Sequence, residues 1–511
     1  MKMTQEAAVL KSENLDTVFE DLKRAIVEAV RDDQPVHEIE KTLWREVLRI
    51  GRQALGQVFT LLGNGDLGES VELPDGRRLQ RLEEEHRRRY QSIFGSFELS
   101  RVVYGSRERQ AIELAPLDNR LQLLEGVFSY VLQDWDQSLC VEQAFGQVQS
   151  TVGRILGIRQ SVDALEHMNQ QMAQGATTFM LGRPQPDEEG EIVVASADQK
   201  GIVMRRGVDD PPPVGHRTKG DKASRKRMAT VATVYTVDRH VRTAEEVVAA
   251  LFRDRPAPGE SEAGKAERAK RTRPKPQHKE VWATLPRDET PGSGIACAFA
   301  WIVGELFLRG RAKGENKDKP LAFLSDGQEA LWEARREWLP ARGVDILDLL
   351  HVTPRLWKVA HVFHREGSSE AEAFVRERVL RVLQGKASGV IRGLREMATK
   401  RELTGSKKRT IASVCGYLEA NLDRMRYDEY LREGYPIASG AVEGACRHLV
   451  KDRMERAGMH WTITGAQAML DVRSIHVSDL WDEYQEHRIE RETARLYPYR
   501  SLVVLNFNQA A

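Results

Sequence analysis

The chain has 511 residues, enough for roughly two to four domains. Apolar residues make up 41% and charged residues 30%, which excludes a disordered or fibrous chain and fits a globular one. Lys and Arg number 77 against 76 Asp and Glu, so net charge points to no class of partner and only local clusters can.

Four cysteines, Cys140, Cys297, Cys415 and Cys446, lie far apart with no CxxC pair. That argues against a zinc module and fits a reducing, cytoplasmic compartment. The first residues, "MKMTQEAAVLKSENLD", lack an apolar signal core. The longest apolar run, Ile295 to Leu308, is too short to span a membrane and contains Glu305.

Residues 15–62 carry helical periodicity, with Val18, Leu22, Ile26 and Val30 followed by Ile39, Leu43, Val47 and Ile50. "GNGDLG" at 63–68 breaks it. The dense charge of 77–91 predicts a solvated helix, and "SFELSRVVYGS" alternates like a short strand or hairpin. Pro116-Leu117-Asp118 reads as a helix start. Residues 138–172 give two helices parted by "GIRQS", with Ser161 capping the second. With Arg154 and Arg159 nearby, these helices fit a helix-turn-helix that reads DNA, and equally a plain helical hairpin, which is the commoner arrangement.

Near residue 190 the pattern turns to strands. "EIVVASAD" predicts a strand ending at Asp198, with a turn over Asp198-Gln199-Lys200-Gly201, and "RMATVATVYTVDR" (227–239) predicts another. Residues 255–280, rich in Pro, Gly, Ala and basic residues, read as a mobile basic insertion. An apolar helix at 294–308 precedes a strand ending at Asp326, a helix through Trp338 and a strand at 344–350. Strands alternating with helices imply an α/β core with a partly parallel sheet. Residues 354–434 are helical throughout, and Trp332, Trp338 and Trp357 have the spacing of core residues. The expected regions are 1–62 (helical), 63–185 (a short β segment and the two-helix unit), 186–353 (first part of the core), 354–434 (helical insertion), 435–478 (last part of the core) and 479–511 (C-terminal helix and tail).

Three acids stand out. Asp198 and Asp326 are expected at strand ends, and Glu443 at a helix start after the small-residue turn "ASGA". Ligands collect at strand ends in open α/β sheets, and a carboxylate there is costly to bury unpaired. Taken singly, each acid is more often a turn or cap residue. Three carboxylates from distant parts of one chain suit hard divalent cations. Two Mg²⁺ (or Mn²⁺) ions of this kind support in-line phosphodiester displacement.

"ADQKG", "LSDGQEALW", "ILDLLHVTPRLW" and "SGAVEGACRHLVKDRMERAGMHWTITGAQAMLDVRS" resemble the signature blocks of DDE transposases of bacterial insertion sequences, most closely the ISKra family. The resemblance covers nearly the whole chain. It implies an α/β, RNase H-like catalytic core with an all-helical insertion, preceded by a mainly helical N-terminal DNA-binding region. It also maps the catalytic, metal-holding acids onto Asp198, Asp326 and Glu443. The cysteine-rich segment that relatives carry near "VVYG" is missing from "VVYGSRERQAIELAPLD", so no zinc knuckle is expected.

Other residues fit around these acids. Arg447 and Lys451 follow Glu443 at i+4 and i+8 of a helix, where they suit a transposon-end phosphate or an ordinary surface ladder. "GHRTKGDKASRKR" concentrates Arg217, Lys219, Lys222, Arg225, Lys226 and Arg227, a cluster with salt-dependent affinity for DNA. Asp348 and His351 close the following strand, either as active-site support or as a satisfied pair near the core. The expected function is metal-dependent cleavage of double-stranded DNA at terminal inverted repeats, then strand transfer, by a homo-dimer or larger assembly. A nuclease or resolvase without strand joining, and an inactive DNA-binding descendant, are the alternatives.

Overall fold

The computed structural model describes residues 15–84, 86–106, 112–184, 186, 188–205, 226–254, 273–286, 292–310, 319–438, 440–456, 458–501 and 503. The chain divides into two compact units. One runs to Gln171 and resumes at Trp481, and the other is Met172–Leu480.

In the first unit, α1 (Leu15–Arg31) and α2 (Val36–Leu62) pack on each other. Three short strands pair as β1 (Ser70–Glu72), β2 (Arg78–Arg81) and β5 (Tyr104–Gly105), while β3 (His86–Ser92) and β4 (Gly95–Arg101) form a separate antiparallel ribbon. The helix expected over 77–91 is therefore two strands. Cross-strand pairing explains the dense charge there: Arg87 bonds Glu98 at 2.9 Å, and Arg88 reaches inward to Asp118 at 2.6 Å. Next come α3 (Pro116–Leu121), α4 (Tyr130–Cys140), α5 (Phe145–Leu156) and α6 (Val162–Ala173). The Ala164 amide donates to Ser161 Oγ at 3.1 Å, so Ser161 caps α6. Helices α4, α5 and α6 share a core of Leu132, Val148, Val152, Leu165 and Met168, with Arg154 and Arg159 exposed.

The second unit is built on a five-stranded sheet: β6 (Ile192–Val203), β7 (Lys226–Val237), β8 (Gln277–Thr284), β9 (Leu321–Ser325) and β10 (Val344–Leu347), in the order β10-β9-β6-β7-β8. Strand β7 runs antiparallel to its neighbours β6 and β8, and β6, β9 and β10 run parallel. Three sequence expectations are corrected here. There is no turn at 198–201, because β6 continues through Asp198 to Val203 and pairs with β7 residue by residue. The final strand stops at Leu347, where Asp348 caps a helix. The insertion expected at 255–280 ends inside a strand, since Gln277–Thr284 extends the sheet; its residues 255–272 lie outside those described.

Because side chains alternate across a strand, the sheet presents two distinct faces. One meets the apolar helix Ser293–Gly310 and the helix Glu329–Trp338: Phe323 packs on Phe299 (5.6 Å between rings) and edge-on to the fully buried Trp332 (5.3 Å), and Trp282 stacks on Trp301. Trp338, expected in the core, is instead exposed. The other face carries Ile192, Val194, Tyr235, Ala322, Leu324 and Ile346 into a core shared with the helices of 349–433. Those helices are Leu349–Phe363, Ser369–Leu383, Ala387–Lys400, Gly405–Ala420 and Tyr427–Glu433. Tyr427 and Tyr430 tie this layer to β10 by donating to the Leu347 and Asp345 carbonyls at 2.7 and 2.9 Å.

Candidate functional site

The last β6–β9 pair is Ser196↔Leu324, and the last β9–β10 pair is Ser325↔Leu347. Extending both registers puts Asp198, Asp326 and Asp348 in one row across three parallel strands. By parity, Asp198 and Asp326 share the face of Val194 and Leu324, which looks toward the helices of 349–433. Three carboxylates thus sit at one edge of the sheet because each strand carries an Asp at the same level.

Asp326 is held by local geometry. Its Oδ1 accepts from the Gln328 amide at 2.9 Å and its carbonyl accepts from the Tyr417 hydroxyl at 2.6 Å. Gly327 turns the chain with φ +92, and a Cβ there would lie 2.8 Å from the Tyr417 ring. Gln328 Nε2 donates to Gln199 Oε1 at 2.8 Å, bridging the segments that carry Asp326 and Asp198. Asp198 Oδ1 accepts from the Gln199 amide at 2.7 Å, and the buried Cys446 thiol donates to Oδ2 at 3.3 Å. Asp348 is fully buried and caps the helix Leu349–Phe363 through the Leu350 amide at 2.8 Å.

Glu443 arrives from the short helix Gly440–Ala445. Its Oε1 lies 3.2 Å from His351 Nε2, one turn into the helix that Asp348 caps. Asp348, His351 and Glu443 each offer one donor atom, and these atoms lie within 4.8 Å of one another. This is the tightest metal-competent group among the described residues, and it contains only one of the three acids singled out as catalytic. Electrostatics ties it to the others. Burial raises the Glu443 carboxyl above its ordinary range, and Asp348 and Asp198 raise it further. Burial also raises Asp198, with Asp326 adding to the shift. Crowded carboxylates resist joint ionisation without a cation among them.

The expected basic residues are distributed unevenly. Arg217, Lys219, Lys222 and Arg225 lie outside the described residues. Lys226 opens β7 and pairs with Glu455 at 3.2 Å, and Arg227 is the next residue of that strand. The helix bearing Glu443 passes into a π-helical segment, Cys446–Lys451. A π-turn takes more residues per turn than an α-helix, so counting in fours does not align Glu443, Arg447 and Lys451. Arg447 reaches Asp452 at 3.6 Å, and Lys451 is exposed.

Sequence reasoning missed Arg355, Tyr417 and Cys446. The Arg355 guanidinium lies 3.4 Å from the centre of the Tyr417 ring and donates to the His351 carbonyl at 2.6 Å. The Tyr417 phenol is pushed up to about 12 by burial. Tyr417 carries no spacing signal, since it reaches Asp326 from a distant helix, whereas Arg355 and Cys446 lie one turn from His351 and Glu443, a spacing visible in the sequence.

A scan of protein-family models finds none that matches, and a search of curated proteins finds no match. Among solved structures, the chain is similar to the Drosophila P element transposase strand transfer complex, at 9% identity and a TM-score of 0.23, over 72% of this chain and 84% of that one. A TM-score of 0.23 is too low for that similarity to assign an activity.

Proposed function

We propose that the chain is a DNA transposase with an RNase H-like core, cleaving and joining DNA by a DDE mechanism in which Asp198, Asp326 and Glu443 hold the divalent ions. The observation that carries this reading is the shared level of Asp198 and Asp326 on adjacent parallel strands, with Glu443 electrostatically coupled to Asp198. The strand order β10-β9-β6-β7-β8, three antiparallel strands continued by two parallel ones, supports the core assignment. The donor set is carboxylate oxygen with one imidazole, which fits Mg²⁺ or Mn²⁺. When bound, such ions polarise a phosphodiester and lower the pKa of an attacking water or 3′-hydroxyl.

The protein's own groups have separable tasks in this scheme. Asp198 and Asp326 supply carboxylates held by the Gln199 and Gln328 amides, so their oxygens are oriented before DNA arrives. Asp348 fixes the first turn that presents His351, and His351 faces Glu443 and steadies its charge. Arg355, Arg447, Lys451, Lys226 and Arg227 supply cations for the DNA backbone, and affinity through them falls with added salt.

The test uses labelled terminal-repeat DNA. Asp326→Asn is expected to abolish cleavage and joining while leaving DNA binding within about twofold, since one neutralised carboxylate leaves the phosphate contacts in place. Cleavage at the wild-type rate by that variant would remove Asp326 from the site. Cleavage without joining by the wild type would reassign the chain as a nuclease.

A further inference from the structure

A cavity of about 860 Å³ opens in the second unit between β7, the helix Ala244–Leu251 and the segment Gly434–Ala438. Its walls are divided by chemistry. Val237, Val247, Leu349 and Ile437 form an apolar side, and Arg242, Arg253 and Arg273 line the same space. None of these three arginines forms a salt bridge among the described residues. Arg242 donates to two backbone carbonyls, those of His240 at 2.7 Å and Tyr435 at 3.1 Å, and so is anchored by the backbone.

The acids that line the cavity are already engaged. Asp254 takes Arg376 at 2.9 Å, Asp238 accepts from Gln277 at 3.0 Å, and Glu246 accepts from the Thr243 amide at 2.8 Å as part of a helix capping box. The arginines act on one another. Burial, with Arg273 adding and Glu246 opposing, lowers the Arg242 guanidinium to about 10, and burial and both arginines depress His240 against the pull of Glu246. Arg242 is half-buried, and a cation held partly out of water gains from an anion that meets it.

We propose that this cavity binds a small phosphorylated compound, its phosphate on Arg242 and Arg273 and its apolar body against Val237, Leu349 and Ile437. A dianion matches two guanidiniums better than a monocarboxylate does, because each guanidinium can bond separate phosphate oxygens. The apolar wall accounts for the rest of a volume much larger than a bare phosphate needs. The ligand would also touch the helix start at Leu349 and Leu350, the turn between Asp348 and His351.

The experiment is calorimetric titration of the full-length protein with phenyl phosphate, with inorganic phosphate and phenol as separate arms. Phenyl phosphate is expected to bind roughly tenfold more tightly than either arm, as an apolar ring adds to charge-assisted bonds. Arg242→Leu is expected to weaken it by roughly tenfold or more. Arg242 also holds two carbonyls, so Arg273→Gln, at an exposed residue with no hydrogen-bond partner among the described residues, decides the matter if Arg242→Leu misfolds. Its expected loss is roughly fivefold or more. Asp326→Asn is expected to bind phenyl phosphate unchanged, which separates this site from the proposed catalysis. No binding by the wild type, or wild-type affinity in Arg273→Gln, overturns the proposal. Displacement of phenyl phosphate by a single-stranded oligonucleotide overturns it in favour of nucleic acid as the occupant.

Discussion

Asp136 shows how one buried acid links the fold to pH. It is fully buried on α4, its Oδ2 accepts from Gln160 Nε2 at 2.5 Å, and burial pushes it from about 3.8 up to about 6. The folded state favours the protonated form. Its stabilising contribution is therefore complete below the ordinary value and is lost as pH rises through about 6. Asp136→Asn keeps an acceptor for Gln160 and removes the ionisation penalty. It is expected to raise stability at pH 8 by on the order of 2 kcal/mol and to flatten the decline between pH 4 and 6. Urea unfolding across that range is the check, and a parallel pH profile in the variant would refute the assignment. Gly327 gives a second residue-scale expectation. With φ +92 and Tyr417 at 2.8 Å, Gly327→Ala combines backbone strain with a clash. It is expected to cost on the order of 1–3 kcal/mol in the same assay. Asp198, Asp326 and Glu443 stood out in the sequence because each lies beside small residues at an expected element boundary, although β6 runs on past Asp198. Tyr417 did not, because its relation to Asp326 exists only in three dimensions; Arg355 and Cys446 lie one turn from His351 and Glu443 but are not acids.

Elements were legible where periodicity was clean. The alternation of Val231, Thr233, Tyr235 and Val237 gave β7, and the apolar run after Ser293 gave its helix. β8 was missed because "QHKEVWAT" follows a basic, Pro-rich stretch and pairs only with the distant β7. β6 was read as too short because Gln199, Lys200 and Gly201 look like a turn, yet pairing with β7 carries them as strand. The helical layer of 349–433 reaches the sheet through hydroxyls that no periodicity reveals. Tyr427→Phe keeps the ring buried and removes only the bond to Leu347. It is expected to destabilise the protein by about 1–2 kcal/mol, because a buried carbonyl loses its donor. Tyr430→Phe, at a less enclosed position, is expected to cost less. Equal stabilities for the two variants and the wild type would mean that these hydroxyls do not tether the layers.

At the scale of the whole molecule, the proposed site predicts a link between Mg²⁺ and folding. Ions that bind only the folded chain stabilise it, by about 2.7 kcal/mol at a hundredfold excess over Kd. Mg²⁺ is expected to raise the unfolding midpoint of the wild type, and the rise is expected to vanish in Asp198→Asn and in Glu443→Gln. A shift that survives both substitutions would place Mg²⁺ elsewhere.

The helical layer of 349–433 also has a consequence in time. Asp198 and Asp326 leave the ribosome on neighbouring strands, but Glu443 follows only after the five helices of 349–433 have been made. At typical synthesis rates that interval lasts roughly 6–20 s. On the proposed reading, a nascent or truncated chain would carry two of the three acids and cut nothing. The order of the polypeptide would itself delay the appearance of a DNA-breaking enzyme until most of its scaffold exists.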